Sequence, residues 1–258
     1  MKYRNTKYLG MPFHAAIATL CLALIAGCAS TAMYRADRAK VESIKTVAVA
    51  GFAVPWRVGV DKESNNPSTL PPFMRKKYQG NGEQVAPVVL SGFIEGMSKA
   101  PNMKLMSAEE VTGNTQFAAL MAEYDQSKDI EFKKRGAAGI PLIPLEHGTE
   151  KMEFAQKAAA ALGVDGVILV DFSALYYDLY TGVMGSGQAK GKATALFNLF
   201  DKTGQSVWEA DSRVITEQSA GMAMGVLTNN ADGLQKDAGI QVAADILKVY
   251  QEQGMVKK

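Results

Sequence analysis

The chain has 258 residues, with 28 Lys and Arg against 26 Asp and Glu, for a formal net charge of +2. That charge is too near zero to mark a nucleic-acid binder, and two cysteines with two histidines cannot build a zinc ribbon, a finger or a disulfide scaffold. A charged share of 21% and a hydrophobic share of 47% exclude wholesale disorder and a polytopic membrane protein, and the length suits one large domain or two small ones.

The first residues read as an address. Lys2, Arg4 and Lys7 form a basic start, and Ala15 to Ala26 is an apolar run apart from Thr19. A helix needs about 20 apolar residues to cross a bilayer, so this run is too short to remain as a span and fits the core of a secretory signal. It ends in Ile25-Ala26-Gly27-Cys28. Small residues before a cysteine at that point resemble the bacterial lipobox. The resemblance implies cleavage between Gly27 and Cys28 and acylation of Cys28, with Ala29 in place of Asp implying sorting to the outer membrane. Residues 1–27 are thus expected as signal peptide, and 28–43 as the lipidated cysteine and a short polar tether. Cleavage removes three basic residues and no acidic ones, so 28 basic residues become 25 against 26 acidic, a net charge of −1.

The remainder, 44–254, is expected to be one α/β domain. Residues 44–52 are β-branched and nearly continuous in apolar character, as in a strand covered on both faces. Four prolines and several Asn and Gly mark 55–83 as a long surface insertion. A helix follows, with Val85, Val88, Val89, Phe93, Ile94 and Met97 at helical spacing and Pro87 expected to delay its start. Met103 to Met106 is a short strand, and Ser107 with Glu110 has capping-box spacing ahead of a helical stretch over 117–124. The mixed-sign run 128–135 reads as a solvated helix face.

Thr149 is placed to cap a helix whose inward face is Met152, Ala155, Ala159 and Leu162, closed by Gly163. Val164-Asp165-Gly166 turns into a buried strand over 167–172. Strands over 192–200 and 205–214 form a hairpin around Asp201-Lys-Thr-Gly204, with Trp208 packed on the sheet. Ser219 to Leu227, small and Met-rich, reads as the packed approach to a last helix over 233–251. Asp232 and Gln235 are expected to cap that helix, and Leu234, Ala238, Val242, Ile246 and Val249 to form its stripe. The order predicts a mixed sheet with parallel strands, an antiparallel hairpin and helices packed on it.

Thr46–Phe52, Ala160–Val170 and Thr194–Trp208 together resemble a superfamily of bacterial lipoprotein domains. It includes the curli-secretion lipoprotein, the outer-membrane activators of penicillin-binding proteins and the N-terminal domain of TolB. The resemblance implies an anticodon-binding-like α/β fold and a periplasmic binding or assembly module that is not an enzyme. It also implies an alternative, an oligomeric secretion channel in which residues 174–192 extend into a barrel hairpin.

Chemistry is sparse. With Cys21 and His14 in the signal and Cys28 acylated, the mature chain has no free thiol and one imidazole, His147, in a loop before a helix. No nucleophile elbow or zinc-binding His motif is present. Ser186 to Ala193 echoes a phosphate loop but lacks its first Gly and its Ser/Thr, and leads into a strand where phosphate capture needs a helix N-terminus. The carboxylates of Asp165 and Asp171 fit turn and strand roles. No cofactor or metal is expected. The recognition candidates are Tyr176, Tyr177 and Tyr180, since tyrosines present large contact area at low entropy cost. The expected protein is an outer-membrane lipoprotein on the periplasmic face, held to the membrane by its lipid. It docks a cell-envelope protein, with a hydrolase as the remote alternative and a homo-oligomer possible.

Overall fold

Apolar strands with no polar alternation must be covered on both sides, and in a computed structural model of the chain they are. The described residues are 34–55, 57–60, 80–100, 102–123, 134–136, 148–181, 187–223, 226–227 and 231–253. Gly27, Cys28, His147, Ser186 and residues 61–79 of the insertion fall outside them.

The elements run β1 (Tyr34–Ala36), α1 (Arg38–Ser43), β2 (Thr46–Pro55), β3 (Arg57–Val60), β4 (Gly80–Asn81) and α2 (Gly82–Met97). Then come β5 (Lys104–Leu105), α3 (Ala108–Thr112), α4 (Thr115–Glu123), β6 (Lys134–Gly136) and α5 (Gly148–Leu162). The last are β7 (Gly166–Thr181), β8 (Gly187–Asp201), β9 (Ser206–Ala223), β10 (Val226–Leu227) and α6 (Ala231–Gln253). The fold is the mixed α/β arrangement expected. The sheet runs β1-β9-β8-β7-β2-β5, with β10 on β9, β6 on β2, and β3 on both β4 and β7. β2 lies parallel to β5 and β7, whereas β7-β8-β9 is an antiparallel ribbon.

Buried residues alternate along β8, where Ala189, Gly191, Ala193, Ala195, Phe197 and Leu199 turn to one face. That face carries α2 and α6. A chain of rings crosses it: Phe172 to Phe52 (5.4 Å), Phe52 to Phe93 (6.1 Å), Phe93 to Phe197 (6.4 Å), Phe197 to Trp208 (4.8 Å) and Trp208 to Tyr250 (4.6 Å). Trp208 packs on the sheet, fully buried, as expected. Buried edge-to-face and tilted aromatic pairs each add about 0.5–1.5 kcal/mol beyond their burial. Among the described residues, the opposite face is covered at one end, by α5 through Phe154, Ala155, Ala158, Ala159 and Leu162.

α2 and α6 meet through glycine. A Cβ on Gly92 would lie 1.9 Å from the Lys236 carbonyl oxygen, one on Gly239 would lie 2.2 Å from the Val89 oxygen, and one on Gly96 would lie 2.5 Å from Ala243 Cβ. Small residues four apart on both helices let the backbones touch. Lys236 and Glu95 close the crossing with an ion pair of 2.7 Å, and the Lys236 ammonium holds the Glu95 carboxyl below its ordinary range.

Several elements differ from expectation. The start of the insertion is ordered sheet: β3 registers Gly59 and Val60 with Tyr176 and Tyr177. Pro87 sits inside α2, on its exposed side, and does not delay the start of the helix. Of the run 128–135, Lys134 and Arg135 lie in a strand beside β2, not on a helix face, and 128–133 lie outside the described residues. Met152 is 44% exposed, because the inward stripe of α5 is rotated to Phe154 and Ala158. Ser219 to Leu227 is strand. Ala220 is buried opposite Ala189, so the ladder with β8 continues where a helix start was expected. Asp232 and Gln235 lie within α6, whose first residue is Ala231, and Gln235 is buried.

Gly239→Ala and Gly92→Ala should each lower the unfolding free energy by about 3 kcal/mol, the upper range for overpacking against backbone. Lys236→Ala should leave stability nearly unchanged, as expected for an exposed pair. Urea unfolding of the three variants checks the contrast.

Candidate functional site

The carboxylates singled out in the sequence are taken up by the backbone. Asp165 lies in the turn between α5 and β7. Its Oδ2 accepts from Lys45 N (3.1 Å), Thr46 N (3.0 Å) and Thr46 Oγ1 (2.9 Å), while its own N–H donates to Thr46 O (3.0 Å). The Asp165 carbonyl accepts from Lys202 N (2.8 Å) in the β8–β9 turn. One residue thereby ties the start of β2, the start of β7 and the hairpin. The Thr46 N–H, the Thr46 hydroxyl and the Lys45 N–H, in that order, hold its carboxyl below its ordinary value of 3.8. Asp201 does the same inside the hairpin, accepting from Thr203 N (2.9 Å), Thr203 Oγ1 (2.6 Å) and Gln205 N (3.1 Å). Gly163 and Gly204 take the left-handed backbone expected of them, with φ of +66° and +81°. These residues serve the fold.

A second polar cluster pins an irregularity in β9. The register passes from Lys190↔Ser219 to Lys192↔Ile215, so β9 carries two extra residues there. Thr216, buried, accepts from Gly191 N (2.7 Å) and donates to Gln218 O (2.9 Å), and Gln218 N donates to buried Asp237 on α6 (2.9 Å). Such bulges re-aim a strand. Here the bulge is fixed to the helix above it, so the ribbon beyond keeps one direction.

The three candidate tyrosines lie on β7. Tyr176 is in register with Lys192 and Tyr180 with Gln188, whereas Tyr177 is opposite Gly191. Successive strand residues belong to opposite faces, so the backbone groups Tyr176 with Tyr180 and separates Tyr177 from both.

What the sequence reading missed is the bare part of the second sheet face. Lys190, Lys192, Thr194, Leu196 and Asn198 of β8 point away from α2 and α6, opposite Ser219, Ile215, Arg213, Asp211 and Glu209 of β9. Among the described residues, α5 covers the Phe200 end. Leu196 is left 41% exposed and Ile215 50% exposed on one rigid surface. Arg213 bonds Asp211 at 3.5 Å. Lys151 of α5 borders the patch; burial pulls its ammonium below the ordinary lysine range, while the charges of Asp171 and Glu209 act to raise it. The signal was in the sequence: small residues alternate with Lys, Lys and Thr through Ala189–Thr194, and Leu196 continues the polar set.

Two surface depressions of about 30 and 100 Å³ are formed by described residues, one beside Tyr250 and one beside Lys104. Ligand clefts run to about 300–1,000 Å³. Among the described residues no group of three or more His, Cys, Asp and Glu could hold a metal ion, and no helix is long and apolar enough to cross a membrane.

No family model matches the sequence, and no curated protein matches it. Solved structures with a similar backbone include the lipoprotein GNA1162 from Neisseria meningitidis, at 12% identity and a TM-score of 0.31 over 80% of this chain and 97% of that one. They also include the PelC dodecamer from Paraburkholderia phytofirmans, at 12% identity and a TM-score of 0.27 over 84% and 96%. A third is the hypothetical protein CT253 from Chlamydia trachomatis, at 10% identity and a TM-score of 0.29 over 79% and 98%. No functional assignment rests on these values.

Asp165→Ala should destabilise the fold by about 2 kcal/mol, since three donors lose a charged acceptor. The folded carboxyl titrates below the unfolded one, so its contribution is complete above about pH 4 and fades as pH falls through the folded value. Asp165→Asn should therefore flatten the acid limb of the stability curve, read by urea unfolding from pH 7 down to 3.

Proposed function

We propose that this chain is a lipid-anchored outer-membrane protein whose periplasmic α/β domain binds a cell-envelope protein and performs no chemistry itself. The observation that carries the docking role is the exposure of Leu196 and Ile215 on one sheet face, four ladder positions apart and opposite the charged Asp211 and Lys192. Large exposed apolar groups rimmed by polar ones on a rigid element are what partner surfaces offer. The anchoring role rests on the lipobox-like Ala26-Gly27-Cys28. Acyl chains contribute about 0.8 kcal/mol per buried CH₂, so a multiply acylated cysteine holds its domain on the bilayer persistently. The non-catalytic reading is supported by how the carboxylates are used: Asp165, Asp201 and Asp237 each accept backbone N–H groups, which suits structure and not proton transfer.

The alternative of an oligomeric secretion channel, with a barrel hairpin over 174–192, has less behind it. Ala189, Gly191 and Ala193 of that hairpin are buried, and a Cβ on Gly191 would lie 3.5 Å from the Leu234 oxygen of α6. One face of the ribbon is thus occupied by the chain's own helix where a barrel strand would need lipid or lumen.

Cys28→Ser should move the protein from the outer-membrane fraction to the soluble periplasm, and the wild-type Cys28 peptide should carry acyl mass. A photo-crosslinking residue at Leu196 should give one discrete adduct in living cells that Ile215→Glu abolishes, while the same residue at Ser98, on the helical side, gives none. Equal adducts from both positions, or none from Leu196, would contradict the docking face.

A further inference from the structure

Leu196 and Ile215 are placed symmetrically about one rung of the sheet. On their face, β8 and β9 pair as Lys192/Ile215, Thr194/Arg213 and Leu196/Asp211 in succession. Ile215 lies one rung to one side of Thr194/Arg213, and Leu196 lies one rung to the other side, on the neighbouring strand. Both apolar side chains are exposed. The charges on this face divide at the same rung. Lys190 and Lys192 lie on the Ile215 side, and Asp211 and Glu209 on the Leu196 side. Arg213, on the rung itself, is exposed and bonds Asp211 at 3.5 Å.

A two-fold contact needs a surface that complements itself when rotated. Two sheets stacked face to face pack about 10 Å apart with their strands nearly aligned. If the axis lies between the sheets and crosses the strands at the Thr194/Arg213 rung, Leu196 of each copy comes over Ile215 of the other. The basic end of one copy then faces the acidic end of its partner. Each Arg213 comes within reach of both Asp211 side chains, so two cations and two anions meet at the axis.

The anchor favours the same axis. It runs across the sheet from the β1 edge to the β5 edge, so rotation about it keeps the β1 edges of both copies together. The chain from Cys28 enters through β1, and one bilayer can therefore hold both anchors. An axis along the strands would set the two β1 strands on opposite sides.

We infer that the surface around Leu196 and Ile215 docks a second copy of this chain, with the two-fold axis at the Thr194/Arg213 rung. The inference rests on the docking and lipid-anchor readings above and names the partner. Two apolar residues and one ion pair per copy make a weak contact alone; anchoring both copies to one membrane raises their effective concentration.

Cys21 and Cys28 are the chain's two cysteines, so with the first cleaved away and the second acylated an introduced cysteine is the one free thiol. The test uses the full lipidated protein in liposomes of phosphatidylethanolamine and phosphatidylglycerol. Leu196→Cys and Ile215→Cys are carried on two differently tagged copies, mixed, and treated with a short bismaleimide. The mixture is expected to bridge several-fold more than either variant alone, because position 196 and its own copy lie about 14 Å apart along the strands. Thr194→Cys, at the axis, is expected to bridge to itself, and it serves should either apolar site fail to fold. Ser98→Cys, on the helical side, sets the level of chance collision. Bridging of the mixture and of Thr194→Cys no higher than that level, or as much bridging from Leu196→Cys alone as from the mixture, overturns the inference. If the photo-crosslinking residue at Leu196 then captures a different protein, the docking face stands without the second copy. With neither bridging nor adduct, both readings fall.

Discussion

The fold depends on one carboxylate placed in a turn. A parallel pair of strands has no hairpin to set its register, so β2 and β7, separated by more than a hundred residues, need another reference point. Asp165 provides it. By holding the N–H groups of Lys45 and Thr46 while its carbonyl takes the N–H of Lys202, it aligns Val47 with Gly166 and seats the β8–β9 turn beside them. From that point the ribbon β7-β8-β9 follows by antiparallel pairing, and the aromatic chain from Phe172 to Tyr250 falls into line on one face. Gly204 completes the corner: its turn packs so closely on α5 that a Cβ there would lie 2.3 Å from the Met152 oxygen.

Much of this was legible in the residues. Continuous apolar character marked β2, a helix end and turn marked Gly163 to Gly166, and Asp201-Lys-Thr-Gly204 marked the hairpin. The capping box of Ser107 and Glu110 forms as its spacing requires. Turn chemistry and periodicity are local signals, and they survived. The length of the ribbon was not legible, because Tyr176 to Thr181 and Ser219 to Ala223 carry no strand-typical alternation; their pairing is decided by β8 lying between them. Lys134–Gly136 became strand for a like reason, since β2 offered it an edge. The Gly92/Gly96 and Gly239/Ala243 crossing also escaped the reading, because close approach of two helices is a property of the pair and neither sequence alone displays it.

The candidate site divides along the same line. The tyrosines were noticed for their residue type, yet the backbone assigns Tyr177 to the face opposite Tyr176 and Tyr180. Leu196 and Ile215 drew no attention, being ordinary strand residues; they became conspicuous only by their exposure on the side of the sheet that the described residues of α5 cover at one end. The half-buried Lys151 and the Arg213–Asp211 pair give Leu196 and Ile215 polar neighbours.

Under the proposed function, a lipid-tethered domain offers one face of its sheet to a protein of the cell envelope. Hydrogen exchange of the protein in intact envelopes, compared with the purified protein in detergent, tests that claim most directly. The account predicts slowed exchange over residues 190–198 and 211–217 in the envelope, with α2 and α6 unchanged. Identical exchange over those two strand segments in both settings would contradict it.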